Sequence, residues 1–325
     1  MAEIIEVDLR INGFENMSDI EIGRMKLKKA GYPDKLIDAM PERMLLKAKN
    51  AESVHRTIRY FVSDGLKFKQ VDKATYEIKN EAKRHDKKIT ELLSKINVYD
   101  GNGSIKNKEN DVVIMSNTKD LDGGSLIVSM DVYKVTGSGA LKGQFWAVCT
   151  YEWTDMPDNN YTDYVGISRD SMSSAIENSA GGAWVYEYLQ CTLYAGPGGV
   201  SILNSTLKYN NDTVDFNELE INEGSAYIMS VPMPPDYWPF GMVAGTFAIG
   251  YIPQAAYGAI EYDGVPSHPD QASNINHWGT YAHQTVALSL WENVSFSYPW
   301  GVSFTVNPEK KFEKVVDESL WQYKP

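Results

Sequence analysis

The sequence predicts an α+β protein, with a small, mainly helical N-terminal unit over residues 1–99 and an antiparallel all-β body, sandwich or barrel-like, over residues 100–325. Three observations predict it. Residues 1–97 hold 20 Lys or Arg against 16 Asp or Glu, whereas residues 98–325 hold 11 against 27. All eight Trp and 21 of the 25 Gly also fall in the later part, and the change coincides with the turn-rich run Asp100-Gly-Asn-Gly-Ser104. A shift of this kind at a run of turn formers marks a domain boundary. The third observation is periodicity, which includes helical spacing before residue 100 and is mainly alternation after it.

In the first part, Ser18 precedes Asp19-Ile-Glu21 at the spacing of a capping box, where hydroxyl and carboxylate each satisfy a backbone N–H at the helix start. Gly31 stands where a left-handed C-terminal cap belongs, Pro33 suits the first turn of a second helix, and Pro41 ends that helix or opens a third. Val54, Arg56, Ile58, Tyr60 and Val62 alternate as in a strand. From Asp72 to Ile96 apolar residues recur mostly every three or four positions, which predicts an amphipathic helix of about six or seven turns. Its outer face carries Lys73, Lys79, Lys83, Arg84, Lys87, Lys88 and Lys95. Such a face is ordinarily solvated, and here it is also suited to meet an acidic surface.

After residue 110, short alternating segments separated by Gly, Asn, Asp and Pro predict strands near 112–115, 125–135, 144–153, 183–194, 200–207, 226–231, 242–252, 286–297 and 301–306. Residues 155–163 and 266–276 read as the long loops. Nine strands without intervening long helices point to a sandwich or barrel. With 43% hydrophobic and 12% aromatic residues, the chain can fill such a core. The net charge of -12 excludes a nucleic-acid partner held by a basic surface field.

The two cysteines, Cys149 and Cys191, both fall in alternating strands. They could form one bridge if those strands are neighbours, or remain two buried thiols. No secretory signal is present at the start of the sequence, which leaves a cytoplasmic protein or a mature exported segment. The run Asn16-Met-Ser-Asp-Ile-Glu-Ile22 and the run Lys29-Ala-Gly-Tyr-Pro-Asp-Lys-Leu-Ile-Asp-Ala-Met-Pro-Glu42 bear on that choice. So do Thr118-Lys-Asp-Leu-Asp-Gly-Gly-Ser-Leu126, Tyr151-Glu-Trp153 and Tyr281-Ala-His283. In these patches the chain resembles uncharacterised exported proteins of Gram-positive bacteria, directly after their signal peptides. The resemblance implies an extracellular protein, a compartment that favours a disulfide between Cys149 and Cys191 over two thiols.

Catalytic signatures are absent: the sequence has no G-x-S-x-G, H-E-x-x-H, Walker or dinucleotide fingerprint. The one histidine concentration is His268, His277 and His283 with Asp270. Converged, these would suit a divalent transition metal with an open position for water, the centre of a metal-dependent hydrolase. Otherwise no cofactor is expected. Residues 237–260 carry no formal charge, yet Pro239, Pro253 and four glycines argue against a spanning helix. The stretch reads as a strand buried on both sides, or as the inserting segment of a pore-forming toxin.

Aromatic residues near expected loops are the remaining recognition candidates. Trp153, Tyr161, Trp238 and Trp278 could stack on the apolar C–H faces of sugar rings, with Asp158 and Asp163 binding hydroxyls. The leading expectation is an exported binding module that recognises a glycan or protein at a cell surface. A membrane-active toxin and a metal-dependent hydrolase are the alternatives. Self-association through exposed sheet edges is a further expectation.

Overall fold

The computed structural model describes residues 2–11, 13, 16–63, 68–82, 92–94, 96–99, 124–137, 139–157, 162–196, 199–214, 219–221, 224–284, 294–297, 301–304 and 312–325. It is mostly antiparallel β structure in several sheets, with few helices.

The largest sheet has nine strands. Its main path runs β1 (Glu3–Asp8), β2 (Ala51–Ser63), β5 (Ser125–Val135), β6 (Phe145–Asp155), β14 (Phe247–Pro266), β9 (Gly181–Gly196) and β10 (Gly199–Val214). Two short strands, β3 (Phe68–Val71) and β8 (Ser173–Ala175), pair with β2 and β14. The second sheet orders β11 (Leu219–Ile221), β12 (Gly224–Pro232), β7 (Thr162–Arg169), β15 (Ser273–Gln284) and β18 (Phe312–Tyr323). Two ribbons complete the β structure. One joins β4 (Asn97–Tyr99) in parallel to β13 (Gly241–Val243); the other pairs β16 (Val294–Ser297) with β17 (Gly301–Phe304). The large sheet crosses the compositional divide at residue 100, because β2 from before it pairs with β5 from after it over Ala51–Val62.

The two larger sheets share one core. Leu126, Val128, Met130 and Val132 of β5 and Phe145, Ala147, Cys149, Tyr151 and Trp153 of β6 form a cluster with Val165 and Ile167 of β7, Met229 of β12, Tyr281 of β15 and Val315 of β18. The other face of the large sheet is also covered. Trp146 and Val148 of β6 and Tyr133 of β5 pack with Leu27, Leu36, Ile37, Met44 and Leu45. These come from α1 (Asp19–Lys29), α2 (Asp34–Ala39) and α3 (Glu42–Lys49). Burial on both faces explains why β6 is apolar at both parities from Phe145 to Cys149.

The helices form where the local signals place them. Ser18 and Glu21 make both halves of the capping box. Gly31 adopts φ +89°, the left-handed conformation that favours glycine. Pro33 and Pro41 are the N-caps of α2 and α3, so each sits one residue before the helix rather than inside its first turn. Gly23 is required by close packing, since a Cβ there would lie 2.0 Å from the Leu45 carbonyl oxygen of α3. The helix after Asp72 is observed as α4 (Lys73–Ala82); most of its expected continuation lies outside the described residues.

One polar clamp fixes α3 to the sheet. Lys47 Nζ donates to Glu261 Oε2 at 2.8 Å and to the Ser179 carbonyl at 2.9 Å, and it lies 3.0 Å from Asp263 Oδ2. The Trp146 indole N–H also donates to Glu261. Burial raises the Glu261 and Asp263 carboxyls above the ordinary range, and Lys47 pulls in the opposite direction.

Several strand boundaries differ from the sequence expectation. The expected strand 242–252 crosses the turn at Gly245 (φ +86°), so the uncharged stretch divides between β13 and a 20-residue β14 that continues to Pro266. Burial on both sides holds for the later part of β14, whereas Phe247 and Ile249 are exposed. Residues 273–276, expected in a loop, begin β15, whose polar His and Asn content hid its alternation. β7 and β18 lie in segments with no expected strand. The expected strand 112–115 and most of the one at 286–297 lie outside the described residues. No described helix is long and apolar enough to cross a membrane.

Candidate functional site

Two of the four aromatic residues singled out by the sequence are buried in the fold. Trp153 is fully buried, and its indole N–H donates to the Tyr281 hydroxyl at 2.7 Å. Tyr281 in turn donates to Asp163 Oδ2 at 2.5 Å. Asp163 also accepts from the Gln284 backbone N–H at 2.9 Å and lies 3.0 Å from His283 Nδ1. Asp163, Tyr281 and His283 are each at most 1% exposed. The group ties β6 of one sheet to β7 and β15 of the other, so the expected hydroxyl-binding role of Asp163 and stacking role of Trp153 are replaced by a buried polar bridge.

Trp278 is also buried, on β15 opposite Ser168 and Glu318. Trp238 is half-buried: its indole N–H donates to the Leu92 carbonyl at 3.1 Å, and its ring lies on Gly250, where a Cβ would come within 2.5 Å. Asp158 and Tyr161 lie outside the described residues.

The histidines do not converge. His268 is exposed beyond β14, and Asp270 is exposed and paired with Lys142. His277 and His283 share β15 but stand six residues apart, about 20 Å at the usual rise per residue. Neither ring nitrogen of His277 has a hydrogen-bond partner among the described residues. Burial, with Arg169 nearby, holds its pKa down to about 3, so the ring is neutral. Among the described residues no group of three or more His, Cys, Asp or Glu is placed to hold a metal ion.

The two thiols are also apart. Both β6 and β9 pair with β14, with Cys149 opposite Ile260 and Cys191 opposite Gly250. Ten residues of strand separate those positions, roughly 30 Å, whereas a disulfide needs Cα atoms within about 7 Å. Both cysteines are free and buried, which corrects the expected bridge. Burial pushes both thiols above their ordinary pKa.

A different aromatic surface is on the outside. Beyond the part of β9 that faces the second sheet, β10, β9 and β14 continue together, and their pairing sets the members of one face in rows. Tyr194 lies between Ser201 and Phe247, Thr192 between Asn204 and Ile249, and Gln190 between Thr206 and Tyr251. Tyr188 lies between Lys208 and Pro253, and Tyr186 between Asn210 and Ala256.

The rings meet one another along this face. Trp184 and Tyr186 stack with centroids 5.6 Å apart, Tyr186 and Tyr188 follow at 6.2 Å, and Tyr188 meets Tyr251 at 5.6 Å. Tyr194 and Phe247 pair at 5.2 Å at the far end. Phe247 is 65% exposed and Ile249 44%, and the four tyrosines are part-exposed. From Trp184 to Tyr194 the row extends about 33 Å.

The opposite parity of β9 explains how the face is held. Cys191, Leu193 and Ala195 are buried in a small cluster with Ile96, Val98, Met242 and Ile252, which backs the extension from behind. The outward face carries Lys208 and Asp212 as its charged residues, with Gln190, Thr192, Asn204, Thr206 and Asn210 supplying amides and hydroxyls. The Asn210 amide donates to the Tyr186 hydroxyl at 3.3 Å. In a chain of net charge -12, this surface is aromatic and nearly uncharged. Its sequence signal is Trp184-x-Tyr186-x-Tyr188 with apolar residues at the alternate positions Val185 and Leu189.

The arrangement defines a mostly antiparallel β protein with an extended aromatic outer face and no assembled metal site among the described residues. No family model and no curated sequence matches the chain.

Proposed function

We propose that the chain is an exported binding module, a β-sandwich with a small N-terminal helical unit, that holds a neutral glycan chain along the outer face of β9 and β14. The sandwich reading is supported by the shared core between the two larger sheets and the helical layer packed behind one of them. The observation that carries the function is the row Tyr186, Tyr188, Tyr251, Phe247 and Tyr194 on an open sheet face with amides beside it. Aromatic faces stack on the C–H surfaces of sugar rings, while amides and hydroxyls bond to ring hydroxyls. The shortage of charge disfavours a polyanion or an acidic peptide, and the linear run of rings suits an extended polymer better than a single sugar.

Electrophoresis of the native protein through gels containing soluble neutral polysaccharides tests the reading. Retardation by at least one of them is the expected result. Unaltered mobility across a panel covering glucans, mannans, xylans and amino-sugar polymers contradicts it.

A further inference from the structure

A cavity of about 360 Å³ opens on the helix side of the large sheet, the face opposite the aromatic row, and its size is at the small end of ligand pockets. Its floor includes Ile58 of β2, Ile127 of β5 and Thr150 and Glu152 of β6. Four charged side chains line it: Lys29, Arg56, Lys73 and Glu152.

Three of the four already have partners. Arg56 is held by Asp131 at 3.0 Å and by the Ser129 hydroxyl at 3.2 Å, and Asp131 also accepts from the Tyr32 hydroxyl at 2.7 Å. Lys29 Nζ donates to the Arg10 carbonyl at 3.2 Å, and Lys73 Nζ lies 3.9 Å from Glu3. Glu152 is half-buried with neither a hydrogen bond nor an ion pair among the described residues. Its carboxyl is pushed above the ordinary range by burial, and Arg56 pulls in the opposite direction.

Tyr60 lines the same cavity. Tyr257 is directly across from Glu152 on β14. Tyr76 of α4 bonds through its hydroxyl to Thr154, two residues along β6, and packs 5.2 Å from the Tyr60 ring. An unpaired carboxylate in a part-apolar cavity is costly, and a cation that enters neutralises it. A neutral ligand does not.

We propose that this cavity binds a small molecule carrying an ammonium group on an apolar body, with the ammonium paired to Glu152 and the body against Ile58 and Ile127. Calorimetric titration of the full chain with pentylammonium, 1-pentanol and pentanoate near neutral pH tests it. Saturable binding of pentylammonium is expected, about tenfold or more tighter than either comparison compound, with a similar loss in Glu152→Gln. The near-isosteric Glu152→Gln protein should keep the wild-type unfolding midpoint, which separates a lost ligand contact from a lost fold. No saturation by pentylammonium, equal affinity for 1-pentanol, or undiminished binding by Glu152→Gln overturns the proposal. Failure here leaves the glycan reading standing, because Glu152 and the aromatic row lie on opposite faces of the sheet.

Discussion

Trp184 and Tyr186 lie two residues apart on β9 with their rings 5.6 Å between centroids and 6° from parallel. Trp184 is 8% exposed and belongs to the core between the sheets, whereas Tyr186 stands at the border of that core. The stack therefore anchors the aromatic row from its buried end. Rings held this way lose little further freedom when a ligand settles on them, which favours binding.

The buried bridge between the sheets should be expensive to break. Tyr281→Phe leaves Trp153 without its acceptor and removes one donor from Asp163. It should lower stability by about 1–3 kcal/mol, while Asp163→Ala, which strands several donors at once, should cost roughly 3–5 kcal/mol. Chemical denaturation of the two variants checks the order. Equal, near-zero effects would remove the bridge from the account.

Lys47 and Glu261 should behave as a coupled pair. Lys47→Met leaves the fully buried Glu261 carboxylate facing Asp263 with only Arg43, 3.5 Å away, as its cation, and should destabilise by about 3 kcal/mol. Lys47→Met combined with Glu261→Gln should recover part of that loss, and additive effects in the double-mutant cycle would contradict the clamp.

Acid should weaken the fold through His277. Its folded pKa of about 3 is below the unfolded value of 6.5, so the folded state binds fewer protons. The stabilisation is complete above pH 6.5 and is lost as pH falls from there toward 3, by roughly 1.4 kcal/mol per unit. His277→Leu should flatten stability over that window, also relieving two ring nitrogens that have no partner among the described residues. An unchanged acid profile in His277→Leu would sink this assignment.

Both cysteines should react only on unfolding. The folded protein should show no rapidly titrating thiol and two per chain in denaturant, with no mass difference on reduction. A gain of two mass units on reduction of the folded, monomeric chain would contradict the separation of Cys149 from Cys191.

Local chemistry was the most readable part of the sequence. The Ser18–Glu21 capping box, the Gly31 cap and the alternation of Val54 to Val62 all appear as expected, because each is set by neighbours in the chain. β15 was hidden because its inward positions are filled by His277, Gly279 and His283 rather than by aliphatic residues, and burial of polar groups depends on partners far away in sequence. The same reason moved the site. Trp153 and Trp278 are among the chain's largest side chains, and which of these the core takes is decided by sheet packing. The surface row uses tyrosines whose hydroxyls tolerate water, and its pattern in β9 was legible although its exposure was not.

Binding of wild-type protein and of Tyr188→Ala with Tyr251→Ala to the same retained polysaccharide, each with its unfolding midpoint, tests the central claim most directly. The double variant should lose about tenfold or more in affinity, since two part-exposed stacking rings are removed, with a midpoint close to wild type. Wild-type affinity in a folded double variant would place recognition elsewhere on the molecule and contradict the account.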